Sequence, residues 1–171
     1  MKHVIIGAGP AGVVAAETLR RHDAKSSIIL IGNEGKPPYS RMALPYLLTD
    51  KIPEHGTYLR HSPDHYDDLK IKYLQAGVNA VNTNTKTLDL DDGPPLAYDR
   101  LLLATGACPI KLPIKGLDLP GVHTCWTLGD ADAIDKLAQP GAHVVLMGAG
   151  FIGSIILEAL VLRGVSLTVV E

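Results

Sequence analysis

Apolar positions in this chain gather into short unbroken runs that meet glycine, and the arrangement recurs. HVIIGAG opens the sequence with a run rich in β-branched residues, which predicts a strand buried on both faces. PAGVVAAETLRRH follows, with good helix formers and basic residues in its last turn, and predicts a helix. SSIILIG is a second buried run, so residues 3–32 read as a strand–helix–strand crossover, right-handed as such crossovers nearly always are. HVVLMGAGFIGSIILEALVLRGVSLTVVE, at His143–Glu171, repeats the unit.

The pattern between the copies is different. Residues 33–57 are rich in proline and glycine and predict loops with a short helix around Ala43–Leu48. YDDLKIKYLQAG predicts a helix running into a strand near Val78–Val81. The following segment predicts a β-hairpin turning at Asp91–Pro95 and then a buried strand at Arg100–Ala104. CPIKLPIKGLDLPGVHT, with three prolines and two glycines, reads as a connection between domains, and ADAIDKLAQPG as a helix that stops before Pro140.

Composition adds little beyond an ordinary globular chain: 171 residues, 46% hydrophobic and 20% charged. A formal charge of −2 and the lack of any strongly basic stretch give no pull toward nucleic acid or an anionic membrane. No run approaches the roughly 18 apolar residues of a membrane span, and the apolar run after Lys2 is too short for a signal peptide, so a cytoplasmic protein is expected. Cys108 and Cys125, with no CxxC, read as reduced thiols in exposed loops. His55, His61 and His65 match no metal-ligand spacing and read as surface histidines; no metal site is expected.

The glycines carry the chemistry. Gly7, Gly9 and Gly12 give G-A-G-P-A-G, with Pro10 and Ala11 between the last two; Gly148, Gly150 and Gly153 give G-A-G-F-I-G, with Phe151 and Ile152 between. Each set joins an apolar strand to a helix, the context a dinucleotide fingerprint requires. The first glycine allows the tight turn, the second lets backbone approach a pyrophosphate, and the third lets helix and strand pack closely. The helix N-terminus then offers N–H groups and partial positive charge to the phosphates. Two turns that bind nothing remain the alternative, since glycine also suits turns for steric reasons alone.

The fingerprint calls for a carboxylate roughly 20 residues beyond its glycines, to accept hydrogen bonds from ribose. Glu171 lies 18 residues after Gly153 (171 − 153), and a carboxylate there favours NAD over NADP. In the first copy Glu34, 22 residues after Gly12 (34 − 12), is the nearby carboxylate, a residue or two late.

These motifs, with PPYSRMALPYLL and YDRLLLATGACP, resemble those of FAD-dependent pyridine nucleotide-disulfide oxidoreductases. The similar branch holds ferredoxin and rubredoxin reductases, NADH oxidases, coenzyme A disulfide reductases and the flavin part of NADH-dependent nitrite reductases. The resemblance implies an α/β fold: a Rossmann-like three-layer FAD-binding domain, incomplete, over 1–112, then the first βαβ of a second Rossmann-like, NAD-binding domain over 113–171. It implies FAD in the first unit and NAD(H) on the second, with hydride passing from NADH to FAD and electrons on to an unidentified acceptor. Ala104, Thr105 and Gly106 match the family's ATG turn close to FAD, Arg41 an arginine near the flavin or its phosphates, and Val81 a position whose backbone reads adenine.

Departures from the family pattern narrow the chemistry. Met42 occupies the place of the redox cysteine of peroxidase, oxidase and coenzyme A disulfide members, and a thioether forms neither thiolate nor disulfide, so that chemistry is excluded. Pro45 and Tyr46 stand where electron-transfer reductases often place a lysine. Ile155 stands where the family usually has a glutamate near nicotinamide and flavin, with Glu158 a helical turn on, so no catalytic residue is named. Family members continue well beyond Glu171, so a fragment or a truncated product is expected, with one chain of a split flavoenzyme, or a nucleotide-binding module without turnover, as alternatives. The expected partners are the cofactors, an electron-acceptor protein or complementing chain, and further copies of the chain.

Overall fold

A computed structural model describes residues 1–110 and 112–171. The described residues form nine strands: β1 (Lys2–Ile6), β2 (Ser27–Gly32), β3 (Ile71–Gln75), β4 (Val78–Asn82), β5 (Thr87–Leu90), β6 (Leu96–Ala97), β7 (Arg100–Leu103), β8 (His143–Met147) and β9 (Ser166–Val170). The helices are α1 (Pro10–His22), α2 (Leu44–Leu48), α3 (His65–Asp68), α4 (Leu128–Leu137) and α5 (Phe151–Leu162). They divide into two compact units, one of residues 1–40 and 58–107, the other of residues 41–57 and 108–171.

In the first unit, β3, β2, β1 and β7 form a parallel sheet in that order, and β4–β5–β6 form an antiparallel meander. The predicted double burial of the first two strands is what builds the layers, because alternate side chains of a strand point to opposite faces. Ile5, Ile28, Leu30 and Ile71 pack with Val13 and Ala16 of α1. Val4, Ile29 and Ile31 pack on the other face against Leu88 of the meander. Helix, sheet and meander are thus the three layers expected of a Rossmann-like FAD-binding fold.

Two expectations need correction here. YDDLKIKYLQAG holds a one-turn helix, α3, and then β3, a sheet strand in its own right. Lys70 sits at φ 52, in the left-handed region that a continuing helix cannot use, so the chain leaves α3 there and Ile71 enters the core at 1% exposure. The segment expected as a buried strand, β7, instead ends the sheet, pairing among the described strands only with β1, and leaves Leu102 42% and Leu103 63% exposed.

Polar contacts fix the connections of this unit. Arg60 donates both Nε and Nη2 to the two oxygens of Glu17 on α1, each at 2.7 Å, and His65 Nε2 lies 2.9 Å from Glu17 Oε1. His65 is therefore a half-buried partner of Glu17 and not the surface histidine expected. Arg20 donates to the carbonyls of Leu69, Lys70 and Asp23, joining the end of α1 to the start of β3. Asp23 accepts from the backbone of Lys25 and Ser26 and from the Ser26 hydroxyl.

The second unit contains the repeat. β8 and β9 pair in parallel and α5 packs on them. Their outward side chains are not doubly covered, as Val145 at 59% and Val169 at 41% exposure show. Residues 41–57 pack here, with Leu44 and Leu48 buried. Arg163, at the end of α5, donates to the carbonyls of Leu48 (2.6 Å), Ala138 (3.0 Å) and Asp135 (3.1 Å) and pairs with the Asp135 carboxylate at 2.8 Å. One guanidinium thereby ties the ends of α2, α4 and α5 together. Replacing it by alanine leaves these carbonyls without that donor, and Arg163→Ala is expected to lose about 2 kcal/mol in urea unfolding, with Arg163→Lys recovering only part of it.

The carboxylates set a pH dependence. Hydrogen bonds from Arg60 hold Glu17 below its ordinary value of 4.5, the hydrogen bond from Ser26 holds Asp23 at about 2, and that from the Lys2 backbone holds Asp99 below 3.8. A carboxylate with a depressed folded value adds stability above its ordinary value and loses it as pH falls through the folded one. The unfolding midpoint should therefore fall as pH drops below about 4.5 toward 2, and Arg60→Gln should flatten the upper part of that fall. An unfolding midpoint independent of pH across this window contradicts the assignment.

Candidate functional site

The first glycine turn is shaped by contacts that exclude side chains. Gly7 sits at φ 111, and a Cβ on it would lie 2.1 Å from the Ala104 carbonyl oxygen and 3.0 Å from the Thr105 nitrogen. A Cβ on Gly12 would lie 1.8 Å from the Gly7 carbonyl oxygen. Any other residue at either position collides with backbone. Between them Gly9 differs: a Cβ there would meet nothing within 4 Å. The fold tolerates a side chain at Gly9, and the room beside it is what a pyrophosphate's close approach needs.

Gly9 is also the N-cap of α1, and no side chain caps this helix; Pro10 and Ala11, both exposed, begin it. The contrast with α4 is direct, because there Thr127 accepts from Asp130 N and Asp130 accepts from Thr127 N in a capping box. The N-terminal N–H groups of α1 lack any such side-chain acceptor, which leaves them to an anion.

The second turn repeats this construction. Gly148 sits at φ 97, a Cβ on Gly153 would lie 2.1 Å from the Gly148 carbonyl oxygen, and a Cβ on Gly150 would meet nothing. Gly150 is the N-cap of α5 with no side-chain cap, and Phe151 and Ile152, which begin the helix, are 77% and 53% exposed. The residues present at both turns thus fit the pyrophosphate of a dinucleotide.

The two carboxylates are held in different ways. Glu171 follows β9 directly and accepts a hydrogen bond from the backbone N–H of Ala149, inside the glycine turn. Glu34, exposed beyond β2, accepts from the Tyr39 hydroxyl.

Of the other sequence candidates, the structure brings Ala104 and Thr105 onto the first glycine turn, with Ala104 N donating to the Ile6 carbonyl at 2.7 Å and Gly106 at φ 70 just beyond. Val81 lies on β4 opposite Leu88; at 39% exposure it is not strand core, and it opens onto a shallow cavity lined also by Asn82, Thr83 and Thr87. Arg41 packs in the second unit, its guanidinium 5.2 Å above the ring of Trp126. Met42 is 69% exposed. Ile155 is half-buried and Glu158 is exposed on α5. Cys108 is exposed, but Cys125 is not the exposed-loop thiol expected: burial, aided by Asp130, pushes it up to about 11.

Tyr39 and Trp126 are the contacts not anticipated. Trp126 is the chain's single tryptophan, and Tyr39 ends a Pro-Pro-Tyr run whose rigidity was the available signal.

The whole chain, residues 1–171, matches the family described as pyridine nucleotide-disulphide oxidoreductase. It is 36% identical to the rhodocoxin reductase of Rhodococcus erythropolis over all of this chain and 40% of that protein. It is 38% identical to the ferredoxin–NAD(+) reductase component of the biphenyl dioxygenase system of Paraburkholderia xenovorans, over 87% of this chain and 36% of the other. Among solved structures, the covalent putidaredoxin reductase–putidaredoxin complex superposes with a TM-score of 0.88 at 31% identity, covering 98% of this chain and 41% of that one. The chain therefore spans about 40% of the length of such relatives. With two glycine turns of one geometry on an α/β fold and a match along its full length, this chain belongs to the pyridine nucleotide-disulphide oxidoreductase family.

Proposed function

We propose that this chain is the nucleotide-handling part of an FAD-dependent oxidoreductase that draws hydride from NADH and passes electrons to a separate acceptor. One observation carries this reading: both glycine turns hold their first glycine at positive φ, are closed to a side chain at the third, open at the second, and followed by a helix whose N-cap glycine brings no side-chain cap. In this reading residues 1–112 hold FAD. Gly7, Gly9, Pro10, Ala11 and Gly12 take its pyrophosphate, Glu34 its adenosine ribose, and Ala104–Gly106 the adjoining part of the cofactor. Val81 serves adenine, and Arg41 the flavin or its phosphates. Residues 113–171 hold NAD(H), on Gly148, Gly150, Phe151, Ile152 and Gly153, with Glu171 at the ribose.

When bound, FAD supplies the ring that accepts hydride and can release electrons in ones or twos. The chain's own residues bind and orient. Glu171 accepts from two ribose hydroxyls and repels a 2′-phosphate, which selects NADH. Met42 offers no thiol, so disulfide and peroxide chemistry have no nucleophile at that place. The relatives named for rhodocoxin and for ferredoxin support a small electron-carrier protein as acceptor. A complementing chain or further copies of the chain are the other proposed partners, and the cytoplasm the proposed compartment; among the described residues no helix is long and apolar enough to cross a membrane.

A second reading, nucleotide binding without turnover, is favoured by Ile155, which brings no carboxylate to the start of α5. The purified chain, mixed with FAD and freed of excess, should retain the visible flavin band, and anaerobic NADH should bleach it. Retention without bleaching selects the second reading, and a colourless chain that also takes up no ADP rejects both.

The glycines give a sharper comparison. Gly9→Ala should fold as the parent and weaken FAD at least about tenfold, since its Cβ enters only the space left for phosphate. Gly150→Ala should do the same to NADH, whereas Gly12→Ala should lower the melting temperature outright. Calorimetric titration and thermal melts separate the two classes.

A further inference from the structure

We infer that Tyr39 is a positioning residue, which holds Glu34 where it can receive the ribose hydroxyls of the adenosine nucleotide in the first unit. This rests on the nucleotide reading above and goes beyond it in assigning a role to a side chain outside the glycine turn.

Strand register shows why such a residue is needed. Ile6 faces Ile31 as the last pair of β1 and β2, and Met147 faces Val170 as the last pair of β8 and β9. The turn closes identically in each, Gly7 N–H donating to Ile31 O at 2.9 Å and Gly148 N–H to Val170 O at 2.8 Å. The next residue along is Glu171 in the second unit and Gly32 in the first. The carboxylate position of the first unit therefore carries no side chain, and one there would force its neighbours to shift. A Cβ on Gly32 would lie 2.6 Å from the Tyr73 hydroxyl oxygen and 2.9 Å from Ala8 Cβ. Glu34 is the carboxylate within reach, and it stands two residues late.

Glu171 needs no help, since Ala149 N–H in its own glycine turn fixes it. Glu34 is on an exposed turn, and a glutamate there has rotamer freedom that a bound ribose would have to remove. The Tyr39 hydroxyl donates to Glu34 Oε2, and Tyr39 is itself buried. It is 7% exposed, bridged in antiparallel fashion to Tyr58, flanked by the Leu59 N–H to Pro38 O bond at 2.9 Å, and preceded by two prolines of fixed φ. Tyr73 lies close enough for Glu34's charge to add to the burial that raises its hydroxyl, and it donates to the Lys36 carbonyl in the same turn. An ionised carboxylate has about four lone-pair sites, and the bond from Tyr39 uses one of them.

The test measures calorimetric affinities of the chain and of Tyr39→Phe, Glu34→Gln and the double variant for ADP and for 2′,3′-dideoxy-ADP. Tyr39→Phe should weaken ADP about tenfold, leave dideoxy-ADP unchanged, and add nothing once Glu34 is glutamine. Thermal melts should show all four chains folded. ADP binding by Tyr39→Phe equal to the parent's overturns the proposal. Equal loss of both ligands does too, since a loosened segment would not discriminate by ribose hydroxyls. A parent chain that binds neither ligand overturns the nucleotide reading itself, and the role of Tyr39 with it.

Discussion

The packing of the third glycine of each fingerprint against the carbonyl of the first decides the rest of each unit. At 1.8 Å for Gly12 and 2.1 Å for Gly153, the distances a Cβ would have are far inside contact, so backbone meets backbone there. The helix start is drawn over the end of the strand, and the N-cap falls on a glycine without a side-chain oxygen. An uncapped N-terminus beside an open second glycine is then a consequence of close packing, and anion affinity follows from the same geometry.

The two units use that constraint in different surroundings. In the first, Gly7 is crowded from the side by Ala104 and Thr105, because β7 pairs with β1 and delivers the ATG turn to the glycines. In the second, a Cβ on Gly148 would meet nothing. The first turn therefore forms one wall of a site with a second wall already in place, while the second is shaped by its own strand and helix. The difference arises from sheet order: β1 is flanked by β2 and β7, whereas β8 pairs only with β9 among the described strands.

Most of this was legible where chemistry is local. The apolar runs, the glycine spacing and the basic last turn of α1 placed both crossovers, since burial on both faces and backbone crowding leave direct marks on composition. What escaped notice depended on distant partners. IKYLQ reads equally as the end of a helix, and only the left-handed Lys70 and the pairing of Ile71 with Ile28 make it a strand. Residues 41–57 gave no sign that they pack with α4 and α5, because the tie is Arg163, 115 residues from Leu48. His65 and Cys125 looked like surface residues because nothing nearby in sequence reveals Glu17 above the one or the burial of the other.

The carboxylates show how a spacing rule can hold while its geometry differs. Counted from the third glycine, Glu34 and Glu171 straddle the expected interval, and the count alone makes them equivalent. Register shows that they are not, since Gly32 is the true counterpart of Glu171. A side chain at Gly32 would strike Tyr73 and Ala8, so the packing of β3 onto β2 removed the position and the carboxylate moved outward along the turn. There a buried tyrosine on a proline-stiffened segment donates to it without further ordering of the chain. The strand that closes the sheet thus also determines which side chain must hold the carboxylate.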